Sequence, residues 1–541
     1  MTAGVRESTW TRAARGDHEV VIAGAGPTGL MLAAELSLAG VDTVIVERRP
    51  DQHVDGSRAG GLLSRSLEVL DQRGVVERFL DAGFTVPAHG FGGIPLGVSD
   101  LPTRHNYVLA LRQSEFEPIL ADWVLGDLGV PIERNCEVLG FVQGDDGVEI
   151  DLSDGRSLTA QYLVGCDGGR SSVRNAAGIG FVGSDPTRSW IVAEVDTLDE
   201  PETGIRYDDA GHHGVGRLAD DAPIRMVLSE RSLRTGEPTL DELRESLVAV
   251  YGTDYGLHTV HWMSRFTDAT RQAVAYRDRR VLVAGDAAHI HPPHGGQGLN
   301  TGLQDAVNLG WKLADVVHGR QPDTLLDSFH DERHPVAARV LENTMAQVAL
   351  TTGGERHRAL RDTVTDLLGV DAARTSIVAM LSGLDIHYDL DPSEGAHPLV
   401  GRRMPDLDLD AADGHEPSHC PTRVFDQLHD ARCVLVNFGE SGCFDLPAAA
   451  HRVRLVDTSH SGPWELPVLG VVDAPSAVLI RPDGHVAWAG DDPTDPRLVH
   501  ALASCVGESP TTPATPTIDD RSGARDRTDT TVTQVAQEDL R

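Results

Sequence analysis

The chain has 541 residues, 40% hydrophobic and 24% charged, the composition of a globular protein of two or three domains. Its formal charge is -35 and Lys312 is its only lysine, so phosphate backbones are repelled and nucleic acid is not an expected partner. No apolar run approaches the roughly 20 residues that span a bilayer, and MTAGVRESTWTRAARGDHE lacks the apolar core of a secretory signal. Six scattered cysteines without a CxxC read as reduced thiols, and a cytoplasmic protein is expected.

In chain order, residues 1–17 are expected to be a disordered lead-in. HEVVIAGAGPTGLMLAAELSLAGVDTVIVERR then predicts a strand, a glycine turn, a helix and a second strand. GAGPTG fits G-x-G-x-x-G in the setting that gives it meaning, after a strand and opening a helix. Gly24 allows the tight turn, Gly26 lets the backbone approach a pyrophosphate, and Gly29 lets helix and strand pack closely. Glu47, at the end of the second strand, can accept hydrogen bonds from a ribose. At this point NAD and FAD both remain open.

LVGCDGGRSSVR places Asp167 and Gly168 after a strand. From 181 to 276, alternating stretches such as SWIVAEV and IRMVLSE predict an inserted antiparallel sheet. RRVLVAGDAAH returns to a buried strand with Asp286 at its end, and Pro322 to Gly383 predicts helices. The stretch GDAAHIHPPHGGQGLNTGLQDAVNLGWKL holds His289, His291 and His294 in six residues, which raises a zinc site as an alternative to a glycine loop. Beyond His397, CVLVNFG, VRLVD and SAVLIRPDGHVAWAG predict a small separate α/β domain, and residues 508–541 a disordered tail.

GAGPTG, CDGGRSSVR and GDAAHIHPPHGGQGLNTGLQDAVNLGWKL, in this order, resemble the FAD-dependent aromatic hydroxylases, single-component flavoprotein monooxygenases related to p-hydroxybenzoate hydroxylase. LLDSFHDERHPVA and GRRMPDLDL are similar to the branch that hydroxylates aromatic polyketides. The resemblance implies an α/β chain in three parts. These are a Rossmann-like FAD-binding domain (18–180 and 277–396), an inserted antiparallel-sheet substrate domain (181–276) and a thioredoxin-like domain lacking CxxC (397–507).

It also implies FAD as cofactor and NADPH or NADH as co-substrate. The flavin C4a-hydroperoxide would hydroxylate a fused-ring phenol or quinone in antibiotic or secondary-metabolite biosynthesis. Carried over by position, Thr28 belongs to the pyrophosphate loop, and Glu47 and Arg48 flank the ribose. Arg58 and Gln113 reach the pyrophosphate–ribitol part, Val138 contacts adenine, and Asp167 and Asp286 hold the FAD chain. Pro293 stiffens the approach to the ring, Leu299 and Asn300 lie against it, and N–H groups of Gly298, Leu299 and Asn300, opening a helix over 300–315, would stabilise reduced flavin.

No catalytic base is assigned: His212, His213, Arg217 and Arg225 of the insert could face the pocket, and each is read instead as a surface or packing residue. No metal is expected, because the flavin motif accounts for the neighbours of the three histidines. A homo-oligomer through the C-terminal domain fits its missing CxxC. Alternatives on the same scaffold are Baeyer–Villiger oxygen insertion, antibiotic inactivation, and a flavin-binding protein without monooxygenase activity.

Overall fold

The computed structural model describes residues 17–54, 56, 59–217, 222–393, 395–410, 423–444, 446 and 452–507. The expected lead-in up to residue 16, the tail from 508 and Arg58 lie outside the described residues. Five parallel strands form the main sheet, in the order Val281–Val283, Ser157–Gly165, His18–Ala23, Thr43–Glu47, Ile132–Arg134. Val20, Val21, Ile22, Leu163, Val164, Val281 and Leu282 are fully buried, as expected of strands covered on both faces. Because the strands are parallel, Gly24, Glu47, Asp167 and Asp286 all fall at their carboxyl edge. In such sheets ligands bind there.

Helix Gln297–Val317 packs against helix Pro27–Leu38, and Gly310 allows the approach: a Cβ there would lie 2.4 Å from the Glu35 side chain. Three further helices, Asp327–Thr351, Glu355–Leu368 and Asp371–Ser382, fill the segment expected to be helical.

The insert is a five-stranded antiparallel sheet, with Ser189–Asp196 between Ile224–Ser229 and Thr259–Thr267 and the hairpin Gly204–Asp208/Gly211–Gly216 beyond. Period-two alternation divides its faces. Ile191, Ala193, Val195, Met226 and Leu228 pack under helix Leu240–Tyr251. Trp190, Val192 and Glu194 therefore point the other way, with cross-strand neighbours Phe266, Ser264 and Trp262.

The C-terminal sheet runs Arg454–Asp457, Val434–Asn437, Ala477–Ile480, Val486–Gly490, with helix Pro496–Val506 on one face. Its Arg481–His485 turn is buried against the FAD-domain helices. Arg65 Nη2 donates to the Asp483 carbonyl at 2.7 Å and Arg73 Nη2 to the Pro482 carbonyl at 2.7 Å. Arg481 donates to both Glu332 oxygens, at 2.9 and 2.7 Å. The small domain is thus joined to the large one by buried, charge-assisted bonds.

Candidate cofactor and substrate site

The glycine loop has the shape of a phosphate cradle. Gly24 takes φ +104°, and a Cβ there would stand 2.5 Å from the Cys166 carbonyl oxygen. Gly29 packs onto the Gly24 carbonyl, which would lie 2.0 Å from its Cβ. Gly26 differs, since nothing lies within 4 Å of where its Cβ would be. It is the N-cap of helix Pro27–Leu38 and has no side-chain cap, so the first N–H groups of that helix face open space. The open cradle and the positive helix end fit a dinucleotide pyrophosphate. Thr28 lies where this helix meets the flavin loop, its Oγ1 2.4 Å from a Cβ built on Gly285 and 2.3 Å from one on Gly302.

Glu47 is buried and held: its Oε2 accepts from Ala25 N at 2.6 Å, its Oε1 from Arg49 N at 2.9 Å and Arg49 Nε at 3.2 Å. Arg48 is exposed beside it. Arg49 folds under the loop to the Ala25 carbonyl at 3.2 Å and pairs with Glu117, a buried carboxylate that also accepts from Gln52 at 2.5 Å and Gln113 at 3.0 Å. Adjacent to Gln113, Arg112 keeps Nε and Nη2 buried without a partner and bears on Arg225 of the insert. Val138 opens its strand and its carbonyl accepts from Ser172 Oγ at 2.8 Å. Asp167 Oδ2 accepts from Ser172 Oγ at 3.0 Å and Val173 N at 3.1 Å, while its Oδ1 is buried and unpartnered. Asp286 is exposed in the single turn Gly285–Ala287.

The flavin loop corrects one expectation. The helix begins at Gln297 rather than 300, because Gly295 and Gly296 take φ +72° and +60° and turn the chain into it early. The open donors at its start are those of Gln297, Gly298 and Leu299; Asn300 N–H, a full turn in, is placed to bond the Gly296 carbonyl. The Asn300 side chain is buried and committed to the neighbouring chain. Its Oδ1 accepts from Leu63 N at 2.9 Å, and its Nδ2 donates to the carbonyls of Gly61 at 3.2 Å and Gly296 at 2.9 Å. Pro293 precedes the glycine turn and Leu299 packs partly against the main core.

The three histidines diverge. His289 is bonded to Asp305 at 2.7 Å, and Asp305 also accepts from Gly285 N at 3.2 Å and Arg333 Nε at 2.7 Å. Burial alone would raise the Asp305 carboxyl, yet Arg333 and His289 hold it below its ordinary value. His291 Nδ1 donates to the Pro292 carbonyl at 2.8 Å. The ring of His294 meets Trp190 at 5.4 Å and His212 at 5.5 Å, both on the insert. Among the described residues no group of three or more His, Cys, Asp or Glu is arranged to hold a metal ion. The insert therefore lies with its Trp190 face over the flavin loop.

Sequence comparison accords with this geometry. The FAD binding domain family matches residues 17–344, and the aromatic-ring hydroxylase C-terminal family matches 397–509. The chain belongs to the FAD-dependent aromatic-ring hydroxylases. It is 42% identical to a rifampicin monooxygenase of Streptomyces venezuelae over 486 residues, 88% of this chain and 96% of that protein. The OxyS anhydrotetracycline hydroxylase from Streptomyces rimosus superposes with a TM-score of 0.80 at 39% identity, covering 91% of this chain and 99% of that one. Dialkyldecalin synthase of Streptomyces rugosporus is 37% identical over 483 residues, 87% and 95% of the two chains.

In this hydroxylase the insert residues divide by strand parity. His213 is fully buried and bonded to Asp208 at 2.9 Å, and Arg217 pairs with Glu200, so both are packing residues. His212 and Arg225, the latter bonded to Glu194 at 3.0 Å, share the face of Trp190, a pocket-facing placement in place of the surface or packing role expected for them. The alternation of the strands carried that signal. Arg49 and Glu117 were missed, and no local pattern links them.

Proposed function

We propose that the chain is an NAD(P)H-consuming monooxygenase that hydroxylates an aromatic polyketide, a fused-ring phenol or quinone, in the making or inactivation of an antibiotic. The observation that carries this is the juxtaposition of an aromatic sheet face, with Trp190 stacked on Phe266 at 5.3 Å and 6°, with the glycine loop and helix start at 295–299. The names of two relatives, acting on rifampicin and on anhydrotetracycline, support that substrate class.

FAD, when bound and reduced by NAD(P)H, would activate O2 and pass one of its two oxygen atoms to the substrate, the other leaving as water. The protein's own residues bind and orient. Gly24, Gly26, Thr28 and Gly29 receive the pyrophosphate. Glu47, with Arg48 beside it, takes the ribose, and Arg58, Gln113, Val138, Asp167 and Asp286 hold the remaining chain. Pro293 and the N–H groups of Gly298 and Leu299 face the ring, where the helix start favours negative charge. The sheet over 181–276 keeps water from the reacting centre.

The test is the visible spectrum of the purified protein, then NAD(P)H oxidation with anhydrotetracycline and product mass. A flavin spectrum, ligand-stimulated oxidation and one added oxygen are expected. Bound flavin with no oxygenated product from any aromatic would refute the hydroxylase assignment. It would favour a non-oxygenating role of the kind the name dialkyldecalin synthase describes for its bearer.

A further inference from the structure

Buried polar atoms without partners are few in a folded protein, and each needs a physical reason. Seven such atoms gather along the seam between the insert and the flavin loop: Trp190 Nε1, His212 Nδ1, both ring nitrogens of His294, His291 Nε2, His89 Nδ1 and Gln347 Nε2. They surround one spot. His294 touches Trp190 and His212, and His89 reaches the backbone of Gly295. Gln347 Nε2 would lie 2.8 Å from a Cβ on Gly295, and His291 Nε2 3.5 Å from one on Gly298. Orphaned polar groups are costly, and packing alone gives no reason to collect them where two domains meet.

The imidazoles are uncharged at neutral pH. Burial pushes His89, His212 and His291 down to about 4 and His294 to about 3. Each ring then carries one N–H donor and one lone-pair acceptor. The charged groups bearing on them are few: Asp268 on His294 and Arg361 on His212, with His213, His289 and His291 as further neighbours. On the same sheet face Arg225 is bonded to Glu194. Beside them the stacked Trp190–Phe266 pair offers a flat aromatic wall.

We propose that His212 and His294, framed by Trp190 and Phe266, select the substrate by its hydroxyl and carbonyl oxygens, and that the ligand is a neutral, planar, fused-ring aromatic. One imidazole accepts from a phenolic hydroxyl while another donates to a neighbouring carbonyl. Neither is basic enough to take the phenol proton, so at these two rings a phenolate would meet neutral donors and no counter-charge, and bind worse. This rests on the substrate class proposed above and adds the groups that recognise it.

The test uses the FAD-loaded full chain, titrated with 2,6-dihydroxyanthraquinone, whose hydroxyls cannot bond its own carbonyls, and with anthraquinone while the flavin spectrum is followed. The carbonyls are common to both probes, so the one hydrogen bond to the hydroxyl predicts a preference of about 5-fold for the hydroxylated probe. Of His212→Phe and His294→Phe, the one that removes the accepting ring should bring that ratio close to one without weakening anthraquinone, the one that removes the donating ring should weaken both probes alike, and His294→Gln should restore part of what His294→Phe loses. FAD content and Tm report folding.

With wild-type protein alone, affinity for the hydroxylated probe should fall as pH rises through the ionisation of its hydroxyl. A ratio near one, a full preference kept by both variants, or tighter binding of the ionised probe would overturn the proposal. If the preference and its loss are seen but no aromatic gains oxygen, the hydroxylase assignment fails while this one stands.

Discussion

Substituting Glu332→Gln probes the buried charges that join the two domains. Lys312 is wholly buried, with Nζ 3.0 Å from Glu332 Oε2 and 3.0 Å from Asn308 Oδ1. Glu332 also receives both Arg481 donors, and Arg481 pairs with Asp483. Removing the carboxylate leaves two buried cations with one aspartate and an amide, and breaking a buried pair in this way costs about 3–5 kcal/mol. Lys312→Met is the control. It keeps Glu332 on Arg481 and removes a desolvated cation of similar volume, so its cost should stay under about 1.5 kcal/mol.

Urea unfolding at pH 7, followed by tryptophan fluorescence, separates the two, and Trp311 lies 5.1 Å from the Arg481 guanidinium as a local reporter. With a slope of about 3 kcal/mol per molar, Glu332→Gln should lower the midpoint by about 1 M or more.

A pH arm follows from linkage. Burial pushes Lys312 down to about 8 against the pull of Glu332, whereas an unfolded lysine titrates near about 10.4. The unfolded chain therefore binds more protons between those values, so this lysine's contribution makes stability rise with pH across that window. Lys312→Met should abolish that rise. Equal losses for the two variants, or a Glu332→Gln cost below about 1 kcal/mol, would refute the assignment of the cluster as a stabilising joint.

Two further substitutions test the cofactor cradle and its support. Gly26→Ala should leave Tm of the FAD-free protein nearly unchanged, because the added methyl meets nothing, yet weaken FAD binding about tenfold or more by standing in the cradle. Gly24→Ala should instead lower Tm, since φ +104° and the Cys166 carbonyl exclude a side chain; equal behaviour of the two would contradict the geometry. Asn300→Ala removes the acceptor for Leu63 N and the donors to Gly61 and Gly296, costing about 1–3 kcal/mol. Amide exchange in 59–63 should quicken first, and unchanged protection there would dismiss Asn300 as the support of that segment.

The glycine loop, the acids at the strand ends and the inserted sheet were legible because their causes are local. A left-handed turn at Gly24 and Gly295, or alternation along Ser189–Asp196, is a steric demand that one residue or its near neighbours satisfy. Hence the sequence determined by itself where the glycine loops at 24–29 and 295–298 and the strands of the inserted sheet lie.

Local rules failed where side chains choose partners across the chain. Arg48 and Arg49 are indistinguishable by pattern, and only the burial of Glu117 on a helix 68 residues away draws Arg49 inward. No local pattern pairs His294 with another residue, and only the insert brings Trp190 and His212 against it. Pro-Asp-Gly at 482–484 is by composition an ordinary turn, and tertiary packing made it the joint held by Arg65, Arg73 and Glu332. Backbone sterics are encoded residue by residue, but the pairing of buried charges and orphaned imidazoles depends on which segments close over them, and only the folded chain decides that.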